Sequence, residues 1–110
     1  MRRVYISGKM TGLPDLGFPL FNAEAARLRA LGFDVVNPAE LNPDPASTWA
    51  DCMRVDIAAL VTCDGLALLP GHESSRGARL EFMIAEALCM RFELAADIVH
   101  GPAQWAREAA

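Results

Sequence analysis

Residues 65–69, Gly-Leu-Ala-Leu-Leu, contain no polar side chain. A strand with one wet face alternates apolar and polar residues, so a strand of this composition must be covered on both faces, the situation of a central strand in a parallel sheet. Parallel strands need crossovers, and the flanking sequence supplies them. Residues 4–7 and 33–36 are further β-branched and aromatic runs, and between them Phe21, Ala25, Leu28 and Leu31 recur at helical spacing, with Gly32 placed as a stop. Asn37-Pro38 breaks the second strand, and Asn42-Pro43-Asp44-Pro45 continues as a proline-rich loop. A second helix is expected from about Thr48, three residues before Asp51 in a capping arrangement, to about Thr62. Residues 70–77 read as a loop, 78–90 as a third helix, 92–99 as a further strand and 102–109 as a terminal helix with Pro102 in its first turn.

The resulting β-α-β-α-β-α-β-α order predicts an α/β fold with an open parallel sheet of four to five strands, a flavodoxin- or Rossmann-like three-layer sandwich. Ligands in such sheets bind at the carboxyl ends of the strands, where three loops converge: residues 7–17, 37–47 and 70–77. With 110 residues, 53% of them hydrophobic, the chain makes a single domain over 1–110.

A net charge of −4 provides no basic field for a nucleic-acid polymer. Cys52, Cys63 and Cys89 form an odd set without metal-type spacing, each in an apolar run, and read as buried, reduced, cytosolic thiols. Arg2 and Arg3 lead directly into a strand rather than a signal-peptide core, and no run approaches ~18 apolar residues, so neither secretion nor a membrane span is expected. His72 and His100 lack ligand spacing and no metal or cofactor is expected. Cys63 and Cys89 have no evident activating base, and Met83 and Met90 read as core filler.

The first loop, Gly8-Lys9-Met10-Thr11-Gly12, invites a phosphate reading. A P-loop requires a glycine five residues before Gly8, where Arg3 stands, and a hydroxyl after Lys9, where Met10 stands. The spacing of Gly8, Gly12 and Gly17 does not fit the dinucleotide fingerprint either. Taken alone, the loop is a tight strand exit.

Two carboxylates stand out. Ala78, Glu81, Ala85 and Leu88 form one helical stripe facing the sheet, and Trp49, Met53, Asp56 and Leu60 another. Each acid interrupts an apolar face. Either they reach solvent or pair with Arg54 or Arg79, or they serve together. Paired carboxylates, one ionised and one protonated, are the usual equipment for cleaving a bond to an anomeric carbon. Tyr5, opposite in facing to Val4 and Ile6, is a core aromatic or a hydroxyl that meets a carboxylate across the strand ends.

The set Val4-Tyr5-Ile6-Ser7-Gly8, Val36-Asn37-Pro38, Asp56, Ser75-Arg76-Gly77-Ala78-Arg79-Leu80-Glu81 and Ala85-Glu86-Ala87 resembles the nucleoside 2-deoxyribosyltransferase family, most closely a bacterial and phage branch of it. The resemblance implies Glu81 as nucleophile, Tyr5 as the group orienting it and Asp56 as the acid assisting base departure. It implies substrate contacts from Ser7, Gly8, Lys9, Thr11, Asn37, Ser75, Arg76 and Gly77, and a cytoplasmic homo-oligomer acting on a small nucleoside or nucleotide. One position departs. Where transferases of free nucleosides carry an acid six residues before the nucleophile, this chain has Ser75, as in the similar deoxynucleoside 5′-monophosphate N-hydrolases, so that Lys9, Thr11, Ser75 and Arg76 are expected around a 5′-phosphate. A catalytically silent nucleotide-binding module is the other expectation, since a fold does not fix function.

Overall fold

The computed structural model describes residues 2–42 and 46–109, the side chains of 106–109 excepted. Four strands, β1 (Arg3–Ser7), β2 (Asp34–Val36), β3 (Gly65–Leu68) and β4 (Arg91–Leu94), pair in parallel in the order β2-β1-β3-β4. Helix α1 (Phe18–Ala30) joins β1 to β2, α2 (Pro38–Leu41) and α3 (Trp49–Leu60) join β2 to β3, α4 (Arg76–Ala87) joins β3 to β4, and α5 (Pro102–Ala109) follows. This is the flavodoxin-like order, whose direction reverses between β1 and β3 and leaves a crevice there.

Strand parity divides the core. Val4 and Ile6 of β1 and Ala67 of β3 pack with Phe21, Ala25 and Leu28 of α1 and with Trp105 of α5. Tyr5, Leu66 and Leu68 face the other way, onto Leu60 of α3 and Ala85 of α4. The run 65–69 is buried throughout, as its composition requires. Gly65 permits the first layer to close: a Cβ there would stand 2.2 Å from the Trp105 ring. Thr48 and Asp51 form a reciprocal capping box at the start of α3, with Asp51 N donating to Thr48 Oγ1 at 3.1 Å.

The chain departs from the sequence expectations in several places. A short helix, α2, occupies part of the segment read as broken by proline, because Pro38 stands in its first turn, where no amide donor is needed, and the Asn37 side chain caps it by accepting from Ala39 N. Residues 43–45 of the expected proline-rich loop lie outside the described residues. The strand expected over 92–99 is β4 only as far as Leu94, after which Ala95–Asp97 form a 3-10 turn. There Arg27 of α1 donates to the carbonyls of Ala95 and Ile98 at 2.6 and 2.7 Å, fixing a bend. Helix α4 begins at Arg76 and ends at Ala87, earlier at both ends than the expected 78–90. Leu88 therefore lies past its end, 55% exposed rather than on the stripe, and Met83 is 64% exposed rather than core. Of the three thiols expected to be buried, only Cys63 is, with Cys52 half-buried and Cys89 exposed. No helix among the described residues is long and apolar enough to cross a membrane.

Candidate active site

Tyr5 and Ser7 are two residues apart on β1, so both side chains point toward α4 at the carboxyl end of the sheet's central pair. Glu81 meets them from the second turn of α4, whose start is set at the exit of β3 by Ser75, the cap that accepts from Ala78 N at 3.1 Å. The carboxylate is 5% exposed. Tyr5 Oη donates to Oε2 at 2.5 Å and Ser7 Oγ donates to Oε1 at 2.8 Å. Each carboxylate oxygen thus has a hydroxyl, and each hydroxyl is itself out of water.

Burial pushes the Glu81 carboxyl up to about 7, against the two hydroxyl donors, which favour the anion. The negative charge of Asp56 adds to the rise. Asp56 sits on α3, 6% exposed, with Asn42 Nδ2 donating to its Oδ1 at 2.6 Å, and burial carries it to about 6. Tyr5 is raised well above an ordinary phenol by burial and then by the Glu81 charge, so it stays a donor. Between about pH 6 and 7 Asp56 is mostly ionised and Glu81 mostly protonated, so the two carboxyls hold about one proton. An anion and an acid then coexist within one site.

Neither carboxylate takes the arginine partners that the sequence left open. Arg54 lies 3.4 Å from Asp51, and Arg79 has no ion-pair partner among the described residues. The structure brings together Tyr5, Ser7 and Glu81 by hydrogen bonds, with Asp56 within electrostatic reach. Ser7, expected to touch substrate, donates to Glu81.

The remaining expected contacts divide. Gly8 lets the first loop press on the end of the neighbouring strand, since a Cβ there would stand 2.8 Å from Leu69 Cβ. Lys9 crosses to the loop after β3: its Cβ would lie 3.9 Å from a Cβ on Gly71. Lys9 is half-buried and Thr11 exposed, and among the described residues neither has a side-chain partner. Asn37 is buried and committed to structure, capping α2 and donating to Asn22 Oδ1 at 2.9 Å. Gly77 lies against Met53 and Trp49 of α3. Arg76 is stacked on Trp49, its guanidinium carbon 3.8 Å from the ring centroid, rather than turned toward Lys9.

Asn42 and the pairing of Trp49 with Arg76 were not anticipated from the sequence. The one signal for Asn42 was its place in the loop after the second strand. Two cavities open elsewhere, one of about 390 Å³ bounded by Trp49, Arg76, Arg79, Leu80 and Met83, and one of about 220 Å³ beside Glu93, Asp97 and Trp105, and Glu81 lines neither. Among the described residues no three His, Cys, Asp or Glu side chains are grouped to hold a metal ion. His72 is engaged with Glu73 at 2.7 Å.

No curated protein matches the chain significantly. The family model for a domain of unknown function, DUF4406, matches residues 2–93, which take in β1 to β3, β4 as far as Glu93, and every residue of the Tyr5, Ser7, Asp56 and Glu81 cluster. The chain therefore belongs to the DUF4406 family.

Proposed function

We propose that the protein cleaves the N-glycosidic bond of a small 2′-deoxynucleoside or deoxynucleotide, by hydrolysis or transfer, with Glu81 as nucleophile. The observation that carries the reading is the buried Glu81 carboxylate held by two hydroxyls at the carboxyl edge of β1, with a second raised carboxyl, Asp56, near it. In the first step the proton that Glu81 holds in the free protein passes to Asp56 as substrate binds, reversing the order of the two free carboxyls. The ionised Glu81 oxygen attacks C1′ of the sugar, the C1′–N bond breaks, and its electron pair leaves with the base, which takes the proton from Asp56. In the second, water or another acceptor attacks C1′, the ester electrons return to Glu81, and Asp56 recovers the proton. Tyr5 and Ser7 orient the Glu81 carboxylate, one oxygen of which forms the bond to C1′.

The 5′-phosphate of a nucleotide substrate would lie between Lys9, Thr11 and the Ser75 end of α4, whose amides and hydroxyl favour an anion. Arg76 would have to leave Trp49 to join them. The reading also takes the protein as cytoplasmic and homo-oligomeric, in keeping with the resemblance on which it partly rests.

A second reading, a silent nucleotide-binding module, is favoured by one observation: both Glu81 oxygens are already engaged and nearly out of water. Incubation with a panel of deoxynucleosides and their 5′-monophosphates, followed by detection of free base, separates the two. Base release that is lost in Asp56→Asn for poor leaving groups is the expected result. Binding of a panel member with no base released would replace the enzyme by the module.

A further inference from the structure

The outward side of α4 is met at its start by Trp49 of α3, which stacks on Arg76, and is exposed at Met83 and Ala87. Arg76, Leu80, Met83 and Ala87 follow at intervals of four, three and four residues, the spacing of a and d positions along a heptad seam. They lie opposite the buried Ala78, Glu81 and Ala85, and Met83 at their centre is 64% exposed. Arg79 and Glu86 flank the seam on one side, seven residues apart. Both are exposed, and neither has a partner among the described residues.

Opposite charges two turns apart on the same flank are self-complementary. When two such helices lie antiparallel about a two-fold axis near Met83, Arg79 of each copy comes level with Glu86 of the other, and the pair occurs twice. In the parallel arrangement the Arg79 and Glu86 flank of one copy lies on the edge of the seam opposite that of the other, so these charges stay unpaired and only the antiparallel arrangement joins them. The cavity of about 390 Å³ bounded by Trp49, Arg76, Arg79, Leu80 and Met83 opens beside this seam and has room for the flexible thioether of a second Met83.

We propose that the protein self-associates through this face, the α4 helices of two copies packing antiparallel, with two Arg79–Glu86 pairs closing over a Met83 and Leu80 centre. One pair of three-turn helices is at the small end of specific interfaces, so the dimer is reversible and weakened by salt. Phe92 and Leu94, exposed on the edge strand β4, form a competing apolar surface that offers no charge pairing of this kind. The proposal does not depend on chemistry at Glu81, with which neither Arg79 nor Glu86 shares a hydrogen bond.

The test is sedimentation of the full chain over a range of concentrations, with Arg79→Glu and Glu86→Arg measured separately and as an equal mixture. The wild type should dimerise, and each single substitution should raise the dissociation constant about tenfold or more by turning two attractive pairs repulsive. The mixture should regain wild-type affinity, because in the mixed dimer each substituted side chain again meets an opposite charge. Regained affinity also shows that both variants are folded. A wild type that stays monomeric, single variants that dimerise as the wild type does, or a mixture that gains nothing would each overturn the proposal.

Discussion

The raised Glu81 carboxyl makes folding stability depend on pH in an unusual direction. An acid whose affinity for its proton is higher in the folded chain stabilises the fold while it stays protonated, and that contribution is lost as pH rises through the folded value. For Glu81 the window runs from its ordinary 4.5 to about 7. At about 1.4 kcal/mol per pH unit this is worth roughly 3 kcal/mol, and because the side chain is 5% exposed little of it is screened. Asp56 acts in the same direction between 3.8 and about 6. Glu40 and Asp64, held low by Arg29 and by the Arg2 and Arg3 amides, act in the opposite direction, but only below their ordinary 4.5 and 3.8. Stability should therefore fall between about pH 4.5 and pH 7. Glu81→Gln keeps the size of the side chain and cannot ionise, so it should remove roughly 3 kcal/mol of that fall, or on the order of 10 °C in melting temperature for a domain of this size. Urea denaturation of both proteins across the window measures it. Wild-type and variant curves that run parallel, or a wild type that gains stability through the window, would refute the burial argument.

Further expectations follow from single contacts. Tyr5→Phe removes the donor to Glu81 Oε2 and should cost about 1–3 kcal/mol at about pH 8, where the carboxylate is ionised, and less at about pH 5, as read by the same denaturation series. Asn42→Ala takes from Asp56 the hydrogen bond that favours its anion, so the Asp56 titration, followed by carboxyl NMR, should move above about 6. Gly65→Ala puts a methyl group into the Trp105 ring and should destabilise the domain by about 1–3 kcal/mol, with Trp105 fluorescence reporting its displacement.

The parallel α/β sheet and the two-sided core were legible because residues 65–69 admit no exposed face and because the strand at residues 4–7 sets Val4 and Ile6 opposite Tyr5. Glu81 and Asp56 were legible for the same reason: a charge on an apolar helical stripe conflicts with the period that surrounds it. Their partners were less so. That Ser7 serves Glu81 follows from parity with Tyr5 once β1 and α4 are known to be adjacent, whereas Asn42 reaches Asp56 from a loop whose path no periodicity encodes. Met83 and Leu88 were misplaced because the buried stripe is narrow, three residues wide along α4, and because the helix stops at Ala87. The bend after Leu94 depends on Arg27, 68 residues away from Ala95 in sequence, and such a long-range capture leaves no local mark.

In the proposed reaction Glu81 becomes covalently bonded to the sugar. Wild type and Glu81→Gln, each mixed with the deoxynucleoside or deoxynucleotide panel and quenched in acid, can be compared by intact mass and by peptide mapping alongside the free base released. The expected result is a wild-type fraction heavier by one deoxyribosyl unit, or its 5′-phosphate, carried on the peptide that contains Glu81, with both adduct and base release absent from the variant. Base released by Glu81→Gln at the wild-type rate, an adduct on another residue, or no base released from any member of the panel would contradict it.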